Sequence, residues 1–334
     1  MNYFYQIEGA LRNNIGDVLQ GIVAKAFLHK NVSVADRESL ADLDKSEPGL
    51  LIANGWYMHS FEKFPPPANI NPIYVSVHIA QSKLLADPLV REHFKQHSPI
   101  GCRDTKTLEL FLGWGIPAYY SSCLTITSKR KPVDESKKGE VLLVDNIDHP
   151  IPEEIKSKLE SLLGTSFTRI SHDPPNTDSD LKYYAESSEK HMEDLLTRYC
   201  NASLVVTTKI HCALPCLGMG ANVLLVHPNP ADPRLATVRE FIDIVSYKDV
   251  LAGKLDMPTV NQERLEKRKK FLTELVEKSV SKGYNALSKP DNFQYRLIKF
   301  RSILNSYIYR AGIITFYRLG IMKDKIEKVY GSGF

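Results

Sequence analysis

The segment Ser203–Val226, SLVVTTKIHCALPCLGMGANVLLV, leaves this chain few folds to choose from. Leu204-Val205-Val206 is a short apolar, β-branched run and reads as a buried strand. Thr207, Thr208, Lys209, Ile210 and His211 then lead into a helical stretch that stops at Gly218-Met219-Gly220, and Asn222–Val226 reads as the next strand. Parallel strands need such a helical crossover, so the segment is a βαβ unit and the fold is α/β. Ligands of open α/β sheets bind at the carboxyl ends of strands, beside helix N-termini. Lys209 and His211 fall there, with Thr208 next to them, and a cation beside a proton-transfer group describes an anion site with acid–base capacity. The plainer alternative is a solvated lysine and a structural histidine. A membrane span is disfavoured by Lys209, His211, Pro215 and the glycines, because a central charge in lipid is expensive.

Other loops enter helices in the same way. Asn13-Asn14-Ile15-Gly16-Asp17 precedes Val18, Leu19, Ile22, Val23, Ala26 and Phe27, which recur at helical spacing. Gly16 permits close approach of backbone to a ligand, and Asp17 suits either a helix cap or a ligand contact. Val32–Ala35 and Gly49–Gly55 read as strands, which puts Asn54, Gly55 and Trp56 just past a strand end. Ile73–Val77 is a further strand that delivers His78 to its carboxyl end. Pro99–Asp104 reads as a short strand before a helix over Thr105–Leu112, with Asp104 as its cap and Arg103 beside its start. The arginine fork suits carboxylate or phosphate, although an Arg103–Asp104 surface pair would use the same residues. Phe64-Pro65-Pro66-Pro67 reads as a rigid surface loop and Ala118–Thr127 as a strand. Gly113, Gly115 and Ala118 match a dinucleotide-turn pattern but follow a helix rather than a strand, so they read as a helix stop.

Residues 129–140, KRKPVDESKKGE, are polar, charged and proline-containing, and read as a linker. Strands and helices alternate on both sides of it, which predicts two doubly wound domains over 1–128 and 141–290. A length of 334 residues suits that number. Residues 291–334 differ: Phe293, Leu297, Phe300, Ile303, Leu304, Tyr307, Ile308, Ile313, Ile314 and Phe316 alternate with Arg296, Lys299, Arg301, Arg310 and Arg318. A basic amphipathic tail of this kind packs on its own protein or on a second copy, or lies on an acidic membrane surface.

Net charge is only +4, which gives no nucleic-acid signature. The five cysteines are odd in number and lack paired spacing, and no basic stretch precedes an apolar run at the N-terminus. Both features point to a reducing cytoplasm. Cys212 and Cys216, one helical turn apart, read as small buried residues, and no His/Cys/Asp cluster has metal-ligand spacing.

Three stretches together carry a resemblance: NNIGD near the start, IGCRDTKTLELFLGWGIPA in the middle, and TTKIHCALPCLGMGANVLLV later. Over most of residues 5–250 the chain resembles the polysaccharide pyruvyl transferase family. That family pairs an Asn-x-Gly-Asp loop with an Arg-Asp-x-x-(Ser/Thr) helix start and a later Ser/Thr-x-Arg-Leu-His segment. Lys209 stands where the family has arginine, keeping the charge but not the bidentate fork. Ser121-Ser122-Cys123-Leu124 stands where the family often has Asp-Pro.

The resemblance implies two Rossmann-like domains facing each other across a cleft, as in glycosyltransferase-B enzymes, with the site between them. It implies that phosphoenolpyruvate is the co-substrate, with no other cofactor and no metal, and that a pyruvate ketal is built on two hydroxyls of a sugar. By position, His211 would be the acid, Lys209 and Arg103 would hold the donor's anions, and Asp17 with Asn14 and Gly16 would face the acceptor or deprotonate its hydroxyl. Thr208, Asn54 and His78 join them on strand-end position alone. The implied partners are a sugar or lipid-linked saccharide acceptor, with peripheral membrane contact through the tail or self-association as further expectations. Two other functions use the same plan: a glycosyltransferase with a nucleotide-sugar donor, and a non-catalytic sugar-binding relative.

Overall fold

In the computed structural model the residues described are 1–306, apart from 10, 13, 30, 60, 135–138, 146–149, 176–179, 289–295, 301 and 305. The chain is a mixed α/β protein built on two parallel sheets. It divides into two compact units, one of Met1–Ala10, Ala24–Ser122 and Thr273–Phe334, the other of Leu11–Val23 and Cys123–Leu272. The NNIGD loop and most of the helix it opens thus belong with the second sheet, although they precede almost all of the first in sequence.

The first unit holds β1 (Asn2–Ile7), β2 (Val32–Asp36), β3 (Gly49–Tyr57), β4 (Ile70–Ile79), β5 (Ile100–Cys102) and β6 (Ala118–Tyr120). Their order is β2-β1-β3-β4-β5-β6, with every pairing parallel. Strand β3 and most of β4 are buried, as expected of central parallel strands with both faces covered. An aromatic cluster fills one face. Phe94, from α2 (Pro88–Gln96), stacks on Phe64 at 5.4 Å and meets Phe111 edge-on at 5.0 Å. Phe111 comes from α3 (Thr105–Gly113). Phe64 and Pro66 are buried, so the proline-rich stretch expected as a surface loop anchors this core.

Two strand expectations are corrected. Asn54 is not past a strand end: β3 runs on to Tyr57 through a register shift between Ala53 and Gly55, where Gly55 takes φ 95°. Asn54 is therefore buried inside the strand, and its carbonyl accepts from the Gln6 side chain at 2.6 Å. Ala118–Thr127 is not one strand: β6 ends at Tyr120, and a 3-10 turn occupies Leu124–Thr127. The break follows from Ser121 and Ser122. The Ser121 hydroxyl bonds the carbonyls of Cys102 and Ser122, and Ser122 sits at φ 66°, which ends extended pairing.

The second unit holds β7 (Val141–Asp145), β8 (Thr168–Ser171), β9 (Leu204–Thr207), β10 (Val223–His227) and β11 (Val245–Ser246), in the order β11-β10-β9-β7-β8, all parallel. Its core joins Val141, Leu143, Leu204, Val206, Leu224 and Val226 from the strands to Ile155 and Leu159 of α4 (Glu153–Leu163). Helix α5 (Leu181–Asn201) begins where the Asp180 side chain caps the amides of Lys182 and Tyr183 at 3.0 Å. Helix α6 (Ile210–Met219) ends at Gly220 in the left-handed conformation, φ 70°, as its glycine stop implies. All five cysteines are free and buried.

Of the tail, 296–300, 302–304 and 306 are described as helical, with Leu297, Phe300, Ile303 and Leu304 exposed. The expectations for Phe293, Arg301 and the residues from Tyr307 onward lie outside the described residues. Among the described residues no helix is long and apolar enough to cross a membrane.

Candidate functional site

In the second sheet the chain leaves β7 for β8 on one side and returns to β9 on the other. The strand order therefore reverses between β7 and β9, and the carboxyl ends of those strands form the crevice where open α/β sheets bind ligands. Sequence places Asp145 at the end of β7, His172 and Asp173 directly after β8, and Thr208, Lys209 and His211 directly after β9. The Thr207 hydroxyl holds this bend. It donates to the Val144 carbonyl at 2.8 Å and accepts from the Lys209 amide at 3.0 Å. Lys209 is then the N-cap residue of α6, with its backbone extended, and His211 lies in the first turn. Pro215, one turn on, has no N–H to give to the His211 carbonyl.

The start of α1 (Ile15–Lys25) is packed against this histidine. A Cβ added to Gly16 would lie 2.7 Å from His211 Cβ, 2.8 Å from His211 Nδ1 and 3.0 Å from Asn14 Oδ1. Glycine is thus required by a close approach, and the neighbour it accommodates is His211 itself. Asn14, not Asp17, supplies the cap: its side chain accepts from the Gly16 amide at 3.0 Å and its carbonyl from the Asp17 amide at 3.1 Å. Asp17 lies in the first turn, where the helix dipole favours an anion, and accepts from the Gln20 side chain at 2.8 Å. Two motifs about two hundred residues apart in sequence, NIGD and TTKIH, therefore form one constellation within one unit. Gly16→Ala is expected to lower the unfolding free energy by about 1–3 kcal/mol, the range for overpacking. Denaturant titration reads this directly, and an unchanged midpoint would show that the helix start does not press on His211.

Electrostatics bind the same group. Burial pushes the Lys209 ammonium below its ordinary value, against the opposing pull of Asp145 and Asp173. A bound anion would reverse that penalty, which is how a half-buried lysine becomes selective for one. Asp145 is almost fully buried, accepting from the Ile151 amide at 2.9 Å and pairing with Arg169 at 3.1 Å. His172 is buried, and burial, followed by the charges of His211 and Lys209, lowers it from 6.5 to about 3. Asp145, His172 and Asp173 are not among the residues singled out by sequence. Their signal is the same strand-end position that marks Lys209, which simple inspection of β7 and β8 would apply.

A pH effect follows. An unfolded His172 takes its proton near 6.5, whereas the folded one takes it only near 3, so between those values unfolding takes up a proton. Stability is therefore expected to fall as pH drops from about 6.5 towards 3, with a slope of up to about 1.4 kcal/mol per pH unit from this one group. His172→Phe should flatten that slope in Tm-against-pH profiles, and an identical slope in the variant would refute the assignment.

The first unit carries a second set of strand-end residues. His78, next to last in β4, places Nδ1 2.6 Å from Asp104 Oδ2. Asp104 caps α3 through the Thr107 amide at 2.9 Å, and the Thr107 hydroxyl reaches its other oxygen at 3.2 Å. Burial alone would raise the Asp104 carboxyl. The bond and charge of His78, the Thr107 amide and Arg103 together hold it below its usual range. Asp104 is thus engaged by His78 and also feels the charge of Arg103, whose own amide donates to the Val77 carbonyl at 2.8 Å. His78, Arg103 and Asn54 belong to the first unit; Asn14, Gly16, Asp17, Thr208, Lys209 and His211 belong to the second. Among the described residues no trio of His, Cys, Asp or Glu is arranged to hold a metal ion.

Comparison with known proteins locates these features. A solved structure from Klebsiella pneumoniae, described as a "functional uncharacterized protein", is similar at 14% sequence identity and a TM-score of 0.40, covering 71% of this chain and 87% of its own. No curated protein matches. The family model for polysaccharide pyruvyl transferase matches residues 14–229, from the capping Asn14 through both strand-end sets to just past β10. The chain belongs to the polysaccharide pyruvyl transferase family.

Proposed function

We propose that the protein transfers pyruvate from phosphoenolpyruvate onto a pair of saccharide hydroxyls, closing a ketal, in the assembly of a surface polysaccharide or exopolysaccharide. The observation that carries this reading is the packing of the Asn14–Asp17 helix start on His211, beside Lys209, at the reversal point of one parallel sheet. The reaction needs an acid for carbon, cations for a carboxylate and a phosphate, and a base for hydroxyls. His211 would protonate the methylene carbon of the enol. Positive charge then develops on the adjacent carbon, stabilised by its oxygen, and the first sugar hydroxyl adds there. The carbon–oxygen bond to phosphate breaks and inorganic phosphate leaves. The second hydroxyl adds to the cation so formed, and its proton departs as the ring closes. Asp17, in the same helix turn as Gly16, is placed to take a hydroxyl proton. Lys209 supplies charge for the donor, with Thr208 and Asn14 of the same unit as polar contacts; no metal or further cofactor enters this scheme. Asn54, buried within β3, is better suited to holding β1 and β3 together than to touching substrate.

The reversal of strand order in each sheet supports two Rossmann-like domains. The exposed apolar residues of the tail, flanked by Arg296 and Lys299, support contact with a lipid surface or a second copy, and with it a lipid-linked acceptor at the cytoplasmic face of a membrane.

Phosphoenolpyruvate-dependent thermal stabilisation tests the donor. A ligand that binds only the folded state raises its apparent stability, by about 2.7 kcal/mol at a hundredfold excess over Kd. The shift is expected in the wild type and should collapse in Lys209→Ala. No shift at millimolar phosphoenolpyruvate, with saccharides present, would overturn the reading, and stabilisation by nucleotide sugars instead would favour a glycosyltransferase.

A further inference from the structure

We propose that the tail helix lies along the surface of a bilayer carrying anionic phospholipid, rather than on a second copy of the chain. The inference rests on the tail reading above and not on the transfer chemistry. The helical residues 296–300, 302–304 and 306 are amphipathic in the opposite sense to a helix that serves only its own core. At about 100° per residue, Leu297, Phe300, Ile303 and Leu304 share one face, and they are 43%, 64%, 46% and 48% exposed. Ile298, Ser302 and Ser306, four residues apart, form the other stripe. Ser302 is fully buried, and Ser306 lies against Gly115, just past α3, where an added Cβ would sit 3.6 Å from the serine Cβ. An ordinary packed helix turns its apolar stripe inward. This one turns small hydroxyls inward and leucine, isoleucine and phenylalanine outward. Apolar residues exposed singly are ordinary, but four on one face within about two turns mark an interaction surface.

Charge selects the partner. Arg296 and Lys299 are exposed on the same short helix. From 296 to 334 the sequence has eight lysines and arginines against Asp324 and Glu327. That balance exceeds the +4 of the whole chain, so the remainder is slightly acidic and the positive charge is concentrated here. Tyr307, Tyr309, Phe316 and Tyr317 continue the mixture in sequence. A second copy would bring an equally basic segment against this one, and like charges brought together cost affinity. Anionic headgroups supply the opposite charge. The acyl boundary takes up the apolar side chains while the lysine and arginine stems reach back to the headgroups. Because its serine stripe stays on the protein, the helix meets lipid along one face only.

The test floats the full chain with vesicles of phosphatidylcholine and phosphatidylglycerol at a two-to-one ratio, and with vesicles of phosphatidylcholine alone. Wild type is expected to bind the mixed vesicles at least about tenfold more tightly, and high salt should release it. Phe300→Ser with Ile303→Ser, and Arg296→Gln with Lys299→Gln, should each weaken that binding about tenfold. All four side chains are exposed, so both paired variants should melt where wild type does, which reports that they fold. Failure of wild type to float, equal binding to neutral vesicles, or unchanged binding in either paired variant would overturn the proposal. So would a dimer, seen by light scattering, that the Phe300/Ile303 variant dissolves and the mixed vesicles do not. The assay contains neither donor nor saccharide, so its failure would leave the transferase reading to its own test.

Discussion

His211→Ala is expected to lower phosphoenolpyruvate-dependent phosphate release by about 10²–10⁴-fold, the usual worth of a positioned general acid. Protonating an enol carbon is the step that no cation can replace, so the loss should fall on turnover. Binding should survive, because the donor's anionic charge is assigned to Lys209 rather than to His211. Stabilisation by phosphoenolpyruvate in His211→Ala should therefore remain near the wild-type shift, opposite to its collapse in Lys209→Ala. The alanine also removes the imidazole, whose Nδ1 lies 2.8 Å from where a Cβ on Gly16 would sit. His211→Gln, which retains most of that volume without a proton-donating ring, separates packing from chemistry. Turnover reduced to the same extent in both variants would support the acid. Recovery in the glutamine variant to within about threefold of wild type would show that His211 only holds the helix start, since a true acid is worth far more.

Gly218→Ala is expected to destabilise the second unit by about 3 kcal/mol, the upper end for overpacking, or roughly 6–12 °C in Tm for a unit of this size. The direction is the informative part. In an ordinary helix the same change stabilises by about 0.5–1 kcal/mol. Gly218 is one residue from the end of α6, and an added Cβ there would overlap the Ile126 carbonyl and lie 2.7 Å from its carbon and 3.0 Å from its Cα. The obstacle is backbone, which cannot rotate away as a side chain can. That backbone is held in the Leu124–Thr127 turn, where the Thr127 hydroxyl donates to the Leu124 carbonyl at 2.8 Å and the Ser128 hydroxyl to the Thr125 carbonyl at 2.8 Å. Because α6 carries His211 at its other end, the displacement should also reduce turnover. A variant as stable as wild type, by denaturant titration, would show that α6 and the turn are not in this contact.

Helix and strand periods, caps and glycine stops are local, so they were legible. The strands around Leu204–Val206 and Val223–His227, and α3 with Asp104 as its cap, stand as the sequence implies. Strand-end position was enough to single out Lys209, His211 and His78, because a parallel sheet puts every carboxyl end on one edge. The same rule reaches Asp145 and His172, but their weight as site residues rests on burial and on the charges around them, which no local pattern records. Asn54 and the 118–127 stretch were misread for a related reason. A bulge at Gly55 and a serine-directed turn after Tyr120 depend on neighbouring strands to complete their hydrogen bonds. What the tertiary structure alone decided is that the first helix start belongs with the second sheet and is pressed onto His211. Composition and spacing show only that Gly16 has no side chain; the Cβ-length approach that makes this necessary comes from residues about two hundred positions away, and only packing brings them together.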